Sequence, residues 1–356
     1  MQQPPAATKQ TTEVHRRSTN DGRHQTTIVW RNVLLLGSVH LLALASLYSF
    51  LHICWCTLFY VYTPTLFVNL IGVTAGGHRL WAHRAYKAKL PLRIFLMICQ
   101  TIALQNDIYV WVRDHRVHHK FSESDADPHN ASRGFFFAHM GWLLCRKHPD
   151  VKLKGASIDL SDLREDPVVM FQHRYYLPLV VIFWFLLPTL IPYLLWNESI
   201  LHAFLTCVCF RYVFALHSTW TVNSIAHLYG HRPYDKRVQP RENEFVIYAS
   251  FGEGYHNFHH VFPYDYATSE FGWLQTFNLT TLLIDFFAYI GQVEQRKTVP
   301  RHIVQKRVER TGDGLPNQRI ALLHQLTGIL LGTVAIWLPS SLRILLNYLH
   351  NRHLLT

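Results

Sequence analysis

Residues 33–51 read VLLLGSVHLLALASLYSFL, and residues 54–75 read CWCTLFYVYTPTLFVNLIGVTA after a link of only two residues. Both runs lack formal charge, and both are about as long as the roughly 20 apolar residues that a helix needs to cross a membrane. Helices buried in a soluble core are the alternative, but they seldom carry two such runs in succession. The two runs therefore predict a hairpin of two membrane-spanning helices.

A second pair of apolar runs predicts a second hairpin. Residues 176–196 (YLPLVVIFWFLLPTLIPYLLW) and 200–222 (ILHAFLTCVCFRYVFALHSTWTV) are separated by three residues. Arg211 lies near the middle of the fourth run, and we expect it to face the protein interior because a lipid-facing charge is costly. The predicted fold is an all-α polytopic membrane protein with four spans under a cytosolic helical cap.

Composition and charge agree with this fold. Hydrophobic residues make up 49% of the 356 residues and charged residues 16%, which excludes a disordered chain. Neither hairpin link contains Lys or Arg, whereas residues 1–31, residues 76–175 and the part after residue 222 contain many. Because positive charge marks the cytosolic side, we expect these three parts to be cytosolic. The net charge of +11 then suits anionic lipid headgroups, and we predict no nucleic-acid partner.

The two ends of the chain have their own predictions. Residues 1–29 are polar and are predicted to form a flexible tail, residues 30–314 to form the membrane domain, and residues 315–356 to form a C-terminal extension. Within the extension, residues 320–339 (IALLHQLTGILLGTVAIWLP) are long enough for a fifth span. An interfacial helix is the alternative.

Histidine is unusually abundant, with 24 His against 23 Asp plus Glu. Nine of them fall into four short motifs in the predicted cytosolic parts: HRLWAH, DHRVHH, NSIAH and HNFHH. In H-x-x-H-H, positions i, i+3 and i+4 share one helix face, so three imidazoles can converge. The nine are His78, His83, His115, His118, His119, His227, His256, His259 and His260.

The HRLWAH and NSIAH motifs have spacings that differ from H-x-x-H-H. His78 and His83 are five residues apart, which a regular α-helix does not align, so we expect the helix to end or bend there. Asn223 lies one turn before His227 on the same helix face. Nine imidazoles are too many for one tetrahedral zinc and suit two metals with open positions. Iron, zinc, copper and nickel all accept imidazole.

Longer motifs around these histidines resemble those of a known family. HRLWAH, DHRVHHKFSESDADPHN, RGFFFAHMGWL, NSIAHLYG, RPYDK and GEGYHNFHHVFPYDY are similar to the motifs of the membrane acyl-CoA desaturases of animals, stearoyl-CoA desaturase-like and of the insect type. The resemblance runs from Trp30 to Gly314. It implies a multi-pass enzyme of the endoplasmic-reticulum membrane with its catalytic face in the cytosol. Such an enzyme uses O2 to introduce a cis double bond, Δ9-like, into a saturated long-chain fatty acyl-CoA.

The resemblance also implies cofactors and partners. These are two iron ions (Fe2+) and electrons from cytochrome b5 with its NADH-dependent reductase. The chain has no haem-binding HPGG segment, so we expect a separate donor. The nine histidines would bind iron, and Asn223 would contact one iron through water. The acyl tunnel and the CoA surface would include Asn106, Trp111, Arg113, Asp114, Arg146, Lys147, Thr219 and Trp220.

Two further functions remain open at the level of sequence. The same centre could hydroxylate the acyl chain, or desaturate a chain that already has a double bond. A non-catalytic membrane lipid sensor is the third hypothesis, and a lost ligand would favour it. Every ligand position of the motifs is filled.

Overall fold

The computed structural model describes residues 26–314. Most of the predicted tail (1–29) and the whole extension 315–356, with its apolar run 320–339, lie outside the described residues. Within the described range most residues are helical, which confirms the predicted all-α class.

Four helices are long and apolar enough to cross a membrane, as the sequence predicts. The first and third have only 17% and 22% of their apolar window buried, whereas the second and fourth have 56% and 50%. The first and third therefore expose most of their surface to lipid, and the other two line the interior. We call them the first to fourth spans: Trp30–Ser49, Trp55–Ala82, Tyr176–Trp196 and Ile200–Leu228.

The second and fourth spans continue past the ends of their apolar runs. The predicted runs stop at residues 75 and 222, but the helices continue to Ala82 and Leu228. Hydropathy falls where the helices leave the apolar region, while the helical hydrogen bonding goes on into the cap. Two of the histidine motifs therefore begin on continuous helices.

Two further apolar helices, Leu90–Ala103 and Ile108–Phe121, meet at an angle of 82°, and if they formed one broken span the total would be five. Asn106 in the break has a φ of +72°. The side chain of Asp107 then accepts a hydrogen bond from the backbone N–H of Val110 at 3.0 Å and starts the second helix. This second helix carries the DHRVHH motif.

Leu90–Ala103 packs closely against the second span at Gly72. A Cβ atom at this position would lie under 3.0 Å from backbone atoms of Cys99 and Gln100. Since only glycine lacks a Cβ, it alone allows the two backbones to approach this closely.

Arg211 of the fourth span faces the interior, as predicted. Its side chain has no exposed surface, and its guanidinium donates to the carbonyl oxygens of Cys207 at 2.7 Å and Ile102 at 3.0 Å. These bonds compensate a buried charge and connect the span to the Leu90–Ala103 helix.

Short elements form the cap that covers one end of the spans. A buried apolar cluster unites them with the second span and the bent pair, through residues such as Trp81, Leu96, Val112, Val169 and Ile284. Two short strands, Lys87–Ala88 and Val293–Glu294, pair in antiparallel fashion. The helical segments of the cap are Ala131–Arg133, 137–144, Pro149–Gly155, Ser161–Glu165, Pro167–Arg174, Glu244–Ala249, His256–Val261, Leu279–Tyr289 and Arg301–Thr311.

Candidate metal centre

Five imidazoles from three parts of the chain meet where the second span enters the cap. Each offers one ligand nitrogen, and all five nitrogens lie within 4.8 Å of one another. The Nε2 atoms of His83 and His115 are 2.8 Å apart, and those of His78 and His259 are 2.9 Å apart. We call this the five-histidine group: His78, His83, His115, His119 and His259.

The wide winding of the second span brings the first two members together. Gly72–Ala82 has π-type hydrogen bonding, and the backbone N–H of His83 donates to the carbonyl of His78, five residues earlier, at 3.0 Å. This i to i+5 turn aligns residues that a regular α-helix would separate. The prediction that the helix ends here is confirmed, because the last helical residue is Ala82.

Four more imidazoles form a second group beside the first. Their ligand nitrogens also lie within 4.8 Å of one another. The Nε2 atom of His256 is 2.9 Å from that of His227 and 3.2 Å from that of His260. The groups adjoin, since the rings of His119 and His260 stack at 4.1 Å. We call this the four-histidine group: His118, His227, His256 and His260.

Each H-x-x-H-H motif contributes to both groups. The i and i+4 histidines of HRVHH belong to the five-histidine group, and its i+3 member, His118, belongs to the other. HNFHH has the reverse arrangement, with His259 alone in the five-histidine group. Both helices therefore supply ligand nitrogens to both groups and connect them.

The spacing of the nitrogen atoms fits metal ligation. A metal–nitrogen distance of about 2.1 Å implies about 3.0 Å between ligands at right angles. The observed separations of 2.8–3.2 Å match that value. Two imidazole nitrogens at such a distance need either a shared proton or a shared cation. The two groups could each hold one metal ion.

Carboxylates contact the outer nitrogens of three of these histidines. Asp127 Oδ1 lies 2.9 Å from His118 Nδ1, and Glu123 Oε1 lies 2.7 Å from His227 Nδ1. Glu253 Oε2 lies 2.9 Å from Nδ1 of His78. A carboxylate at Nδ1 holds the proton there and leaves Nε2 free to bind a metal.

The electrostatics of the cap favour neutral imidazoles in the HNFHH motif and an ionised carboxylate at Asp127. Burial, together with neighbouring imidazoles, lowers the pKa values of His256, His259 and His260 well below the usual value. Burial by itself would raise the pKa of Asp127, but the charge of and hydrogen bond from His118 hold it well below its usual range. Neutral imidazole is the form that binds metals.

A cavity of about 350 Å³ leads to the histidines. Trp111 lines it and stacks on His115 with ring centroids 4.9 Å apart. Asn223 also lines it, one helical turn before His227. The cavity therefore reaches the five-histidine group at His115 and extends to Asn223, beside the four-histidine group.

Five of the eight predicted substrate residues line this cavity: Asn106, Trp111, Asp114, Thr219 and Trp220. The other three lie near its charged edge. Arg113 donates to Asp114 Oδ1 at 2.9 Å, and Lys147 also pairs with Asp114. Arg146, next to Lys147, is exposed.

Several residues of the site were not found by the sequence reasoning. Glu123, Asp127 and Glu253 carry no spacing that marks them, although the first two lie inside the DHRVHHKFSESDADPHN motif and the third inside GEGYHNFHHVFPYDY. Gln105 donates to Thr219 Oγ1 at 3.0 Å across the cavity. His129, counted among the unassigned histidines, has its ring 4.2 Å from that of His118. Proximity to the H-x-x-H-H motif is the one sequence feature that could have indicated Glu123, Asp127 and His129.

This architecture defines a multi-pass membrane protein with a histidine-rich centre under its cap. The family model described as fatty acid desaturase matches residues 55–271. Acyl-CoA Delta-9 desaturase of Acheta domesticus is 54% identical over 314 residues, which are 87% of this chain and 87% of that protein. Stearoyl-CoA desaturase 5 of Bos taurus is 52% identical over 291 residues, 82% of this chain and 86% of that protein. The chain belongs to the fatty acid desaturase family, and it is an oxidoreductase.

Proposed function

We propose that this protein is an acyl-CoA desaturase that introduces a cis double bond at the Δ9 position of a saturated long-chain fatty acyl-CoA. The observation that carries the proposal is the cavity that runs from a charged edge at Asp114 to His115 of the five-histidine group and to Asn223, one helical turn before His227. The relative from Acheta domesticus, named a Delta-9 desaturase, supports the position of the double bond.

We propose iron for both metal positions. Removing hydrogen from an unactivated CH2 group lies beyond any side chain and requires a redox-active centre. Zinc has no redox chemistry, so the nine imidazoles suit iron better than zinc in this reaction. Bound iron would supply, with O2, the oxidising power for the reaction.

The residues of the cavity would fix the position of the acyl chain. Trp111 and Trp220 provide apolar walls, and the hydrogen bond from Gln105 to Thr219 braces the wall between the bent pair and the fourth span. Holding the chain at a fixed depth selects which carbon atoms face the metals. The tunnel would therefore determine the position of the double bond.

The charged edge of the cavity would bind CoA. Arg113 and Lys147 both contact Asp114, and Arg146 is exposed beside them. Phosphates form strong charge-assisted hydrogen bonds with such cations. Asn106, in the break of the bent pair, completes the proposed CoA surface.

The stoichiometry requires an electron donor. Forming one double bond while reducing O2 to two water molecules consumes two further electrons and two protons. We propose cytochrome b5 with its NADH-dependent reductase as the source. We also propose the endoplasmic-reticulum membrane as the location with the cap in the cytosol, since the basic residues concentrate on the cap side.

Expression in desaturase-deficient yeast, with double bonds located by mass spectrometry, tests the proposal. We expect new Δ9-unsaturated chains from supplied saturated ones. Hydroxylated products, or a second double bond in unsaturated chains, would favour the related oxidations. No product from any chain would contradict an enzymatic role and favour a lipid sensor.

A ligand variant tests the role of the histidines in the same assay. His119→Ala removes one member of the five-histidine group, and we expect at least about a 100-fold loss of product with normal membrane insertion. His302→Ala, at an exposed position of the Arg301–Thr311 helix, is the matched control and should retain full activity. An active His119→Ala protein would contradict the ligand assignment.

A further inference from the structure

The two histidine groups differ in the number of carboxylates behind them. Asp127 and Glu123 contact His118 and His227 of the four-histidine group. Among the described residues, Glu253 is the only carboxylate that contacts the five-histidine group, through His78. The four-histidine group therefore has one imidazole fewer than the five-histidine group but one more carboxylate in contact with it.

Glu253 also has a cationic partner that cancels its charge. Arg79 has no exposed surface, and its Nε and Nη2 atoms donate to Glu253 Oε1 at 2.9 and 2.8 Å. The arginine is held in turn by Thr281 Oγ1 at 2.8 Å and the carbonyl of Tyr266 at 2.9 Å. The pair behind the five-histidine group is therefore neutral overall.

Within residues 26–314 no Lys or Arg contacts Asp127 or Glu123, although the imidazole Nδ1 of His129 lies 3.7 Å from Asp127 Oδ1. Asp127 Oδ2 accepts from the backbone N–H of Glu123 at 3.0 Å, and Asp127 Oδ1 accepts from that of His129 at 3.1 Å. Glu123 Oε2 accepts from the backbone N–H of Ala131 at 3.1 Å. Both carboxylates act as acceptors at every one of these contacts, which is the pattern of an ionised group. Backbone donors stabilise the negative charge without cancelling it.

We propose that the four-histidine group is the tighter of the two metal positions, and that Asp127 and Glu123 are the positioning residues that make it so. The inference rests on the proposed metal pair. Two uncompensated negative charges behind His118 and His227 raise the basicity of these imidazoles and attract a divalent cation in a buried site. At the five-histidine group the positive charge of Arg79 cancels the negative charge of Glu253, so this group has no such attraction for a divalent cation.

The additional imidazole of the five-histidine group increases the metal affinity of that group and so opposes the effect of the carboxylates. It is a neutral ligand, and water can occupy the corresponding open position of the four-histidine group, so the difference in ligand number is partly offset. Loss of an outer-shell partner typically weakens metal binding by about ten- to a hundredfold. We therefore expect the charge difference to determine the order of affinity.

Titration of the full-length protein with Co2+ tests this order. The protein is stripped of metal in detergent, and bound cobalt is followed by visible absorption and elemental analysis. We expect two equivalents, the first at least about tenfold tighter than the second. His260→Ala should abolish the tighter equivalent, and His83→Ala should abolish the weaker one.

Asp127→Asn tests the source of the difference. We expect it to weaken the tighter position by about ten- to a hundredfold and to leave the weaker position unchanged, which also shows that the fold is intact. Asp125→Asn makes the same change of charge at an exposed site two residues away and should alter neither affinity.

Three results would overturn the inference: equal affinities, loss of the tighter equivalent in His83→Ala, or equal weakening of both positions in Asp127→Asn. Each leaves the metal pair itself in place. Failure to bind any cobalt would instead contradict the metal centre on which the proposed function depends.

Discussion

Single contacts decide which nitrogen of two imidazoles faces the metal positions. The carboxylates of Asp127 and Glu123, hydrogen-bonded at Nδ1 of His118 and His227, select the tautomer that presents Nε2 inward. The sequence predicted six of the nine histidines because H-x-x-H-H has a fixed helical geometry, and the other three because their motifs follow the ends of the second and fourth apolar runs. It could not predict Glu253, which reaches His78 from 175 positions further along the chain, since that contact exists only in the folded protein.

Glu242 carries a different buried carboxyl group whose pKa is shifted, and we expect it to contribute to the pH dependence of stability. Its Oε1 accepts from the backbone N–H of Phe258 at 2.8 Å. Its Oε2 is buried without a hydrogen-bond partner among the described residues. Burial raises the pKa of Glu242 to about 8. At neutral pH this carboxyl group is therefore mostly protonated in the folded state.

The sign of the pH effect follows from this shift. The folded state holds the proton of Glu242 more tightly than the unfolded state, where the pKa is about 4.3. The contribution to stability is therefore complete below about pH 4.3 and is lost as the pH rises through 8. We expect wild-type protein to lose on the order of 2–3 kcal/mol relative to Glu242→Gln between pH 6 and pH 9, measured as thermal unfolding in detergent.

Glu244→Gln is the control for that measurement. Glu244 is exposed and lies only two residues from Glu242, so its substitution removes the same charge at the surface. We expect it to unfold in parallel with wild type across this range of pH. If Glu242→Gln also ran parallel to wild type, the buried carboxyl group would not be the source of the pH dependence.

At the scale of the secondary-structure elements, the winding of the helices determines which histidines come together. Apolar length predicted four spans, and positions i, i+3 and i+4 predicted the converging histidines. The π-type winding of Gly72–Ala82 was not predictable, because no residue pattern specifies an i to i+5 turn. It depends on how the second span packs against its neighbours. The turn aligns His78 with His83, so the least predictable element completes the five-histidine group.

The close approach of the second span to the Leu90–Ala103 helix at Gly72 should limit which residues are tolerated at this position. Gly72→Ala would place a Cβ under 3.0 Å from the backbone of Cys99 and Gln100. We expect it to destabilise the protein by at least about 1–3 kcal/mol, because the overpacked helices must move apart. Thermal unfolding in detergent measures the loss.

Gly37→Ala provides the matched comparison. Gly37 lies in the first span, and a Cβ there would meet no atom within 4 Å. Alanine favours helices over glycine by roughly 0.5–1 kcal/mol, so this variant should be as stable as wild type or slightly more stable. Equal losses in both variants would mean that close packing at Gly72 does not limit stability.

At the scale of the whole molecule, two hairpins place all four motifs at one end of the spans. The links between paired spans are so short that each hairpin returns to the side from which it started. In the second link, Glu198 accepts from Thr57 Oγ1 at 2.6 Å and from the backbone N–H of Cys54 at 2.9 Å. These bonds hold the two hairpins together at the end opposite the histidines.

The distribution of basic residues predicts the orientation of the protein in the membrane. The cap side carries the basic residues, so the linked ends should lie in the lumen. An Asn-Gly-Thr acceptor with flexible spacers, inserted between Ser199 and Ile200, should be glycosylated in microsomes. The spacers are needed because Glu198 holds the native link against the first hairpin. The same cassette within residues 152–155 of the cap should stay unmodified. Glycosylation of the cap cassette, with none at the link, would reverse the orientation and place the histidine groups away from a cytosolic electron donor.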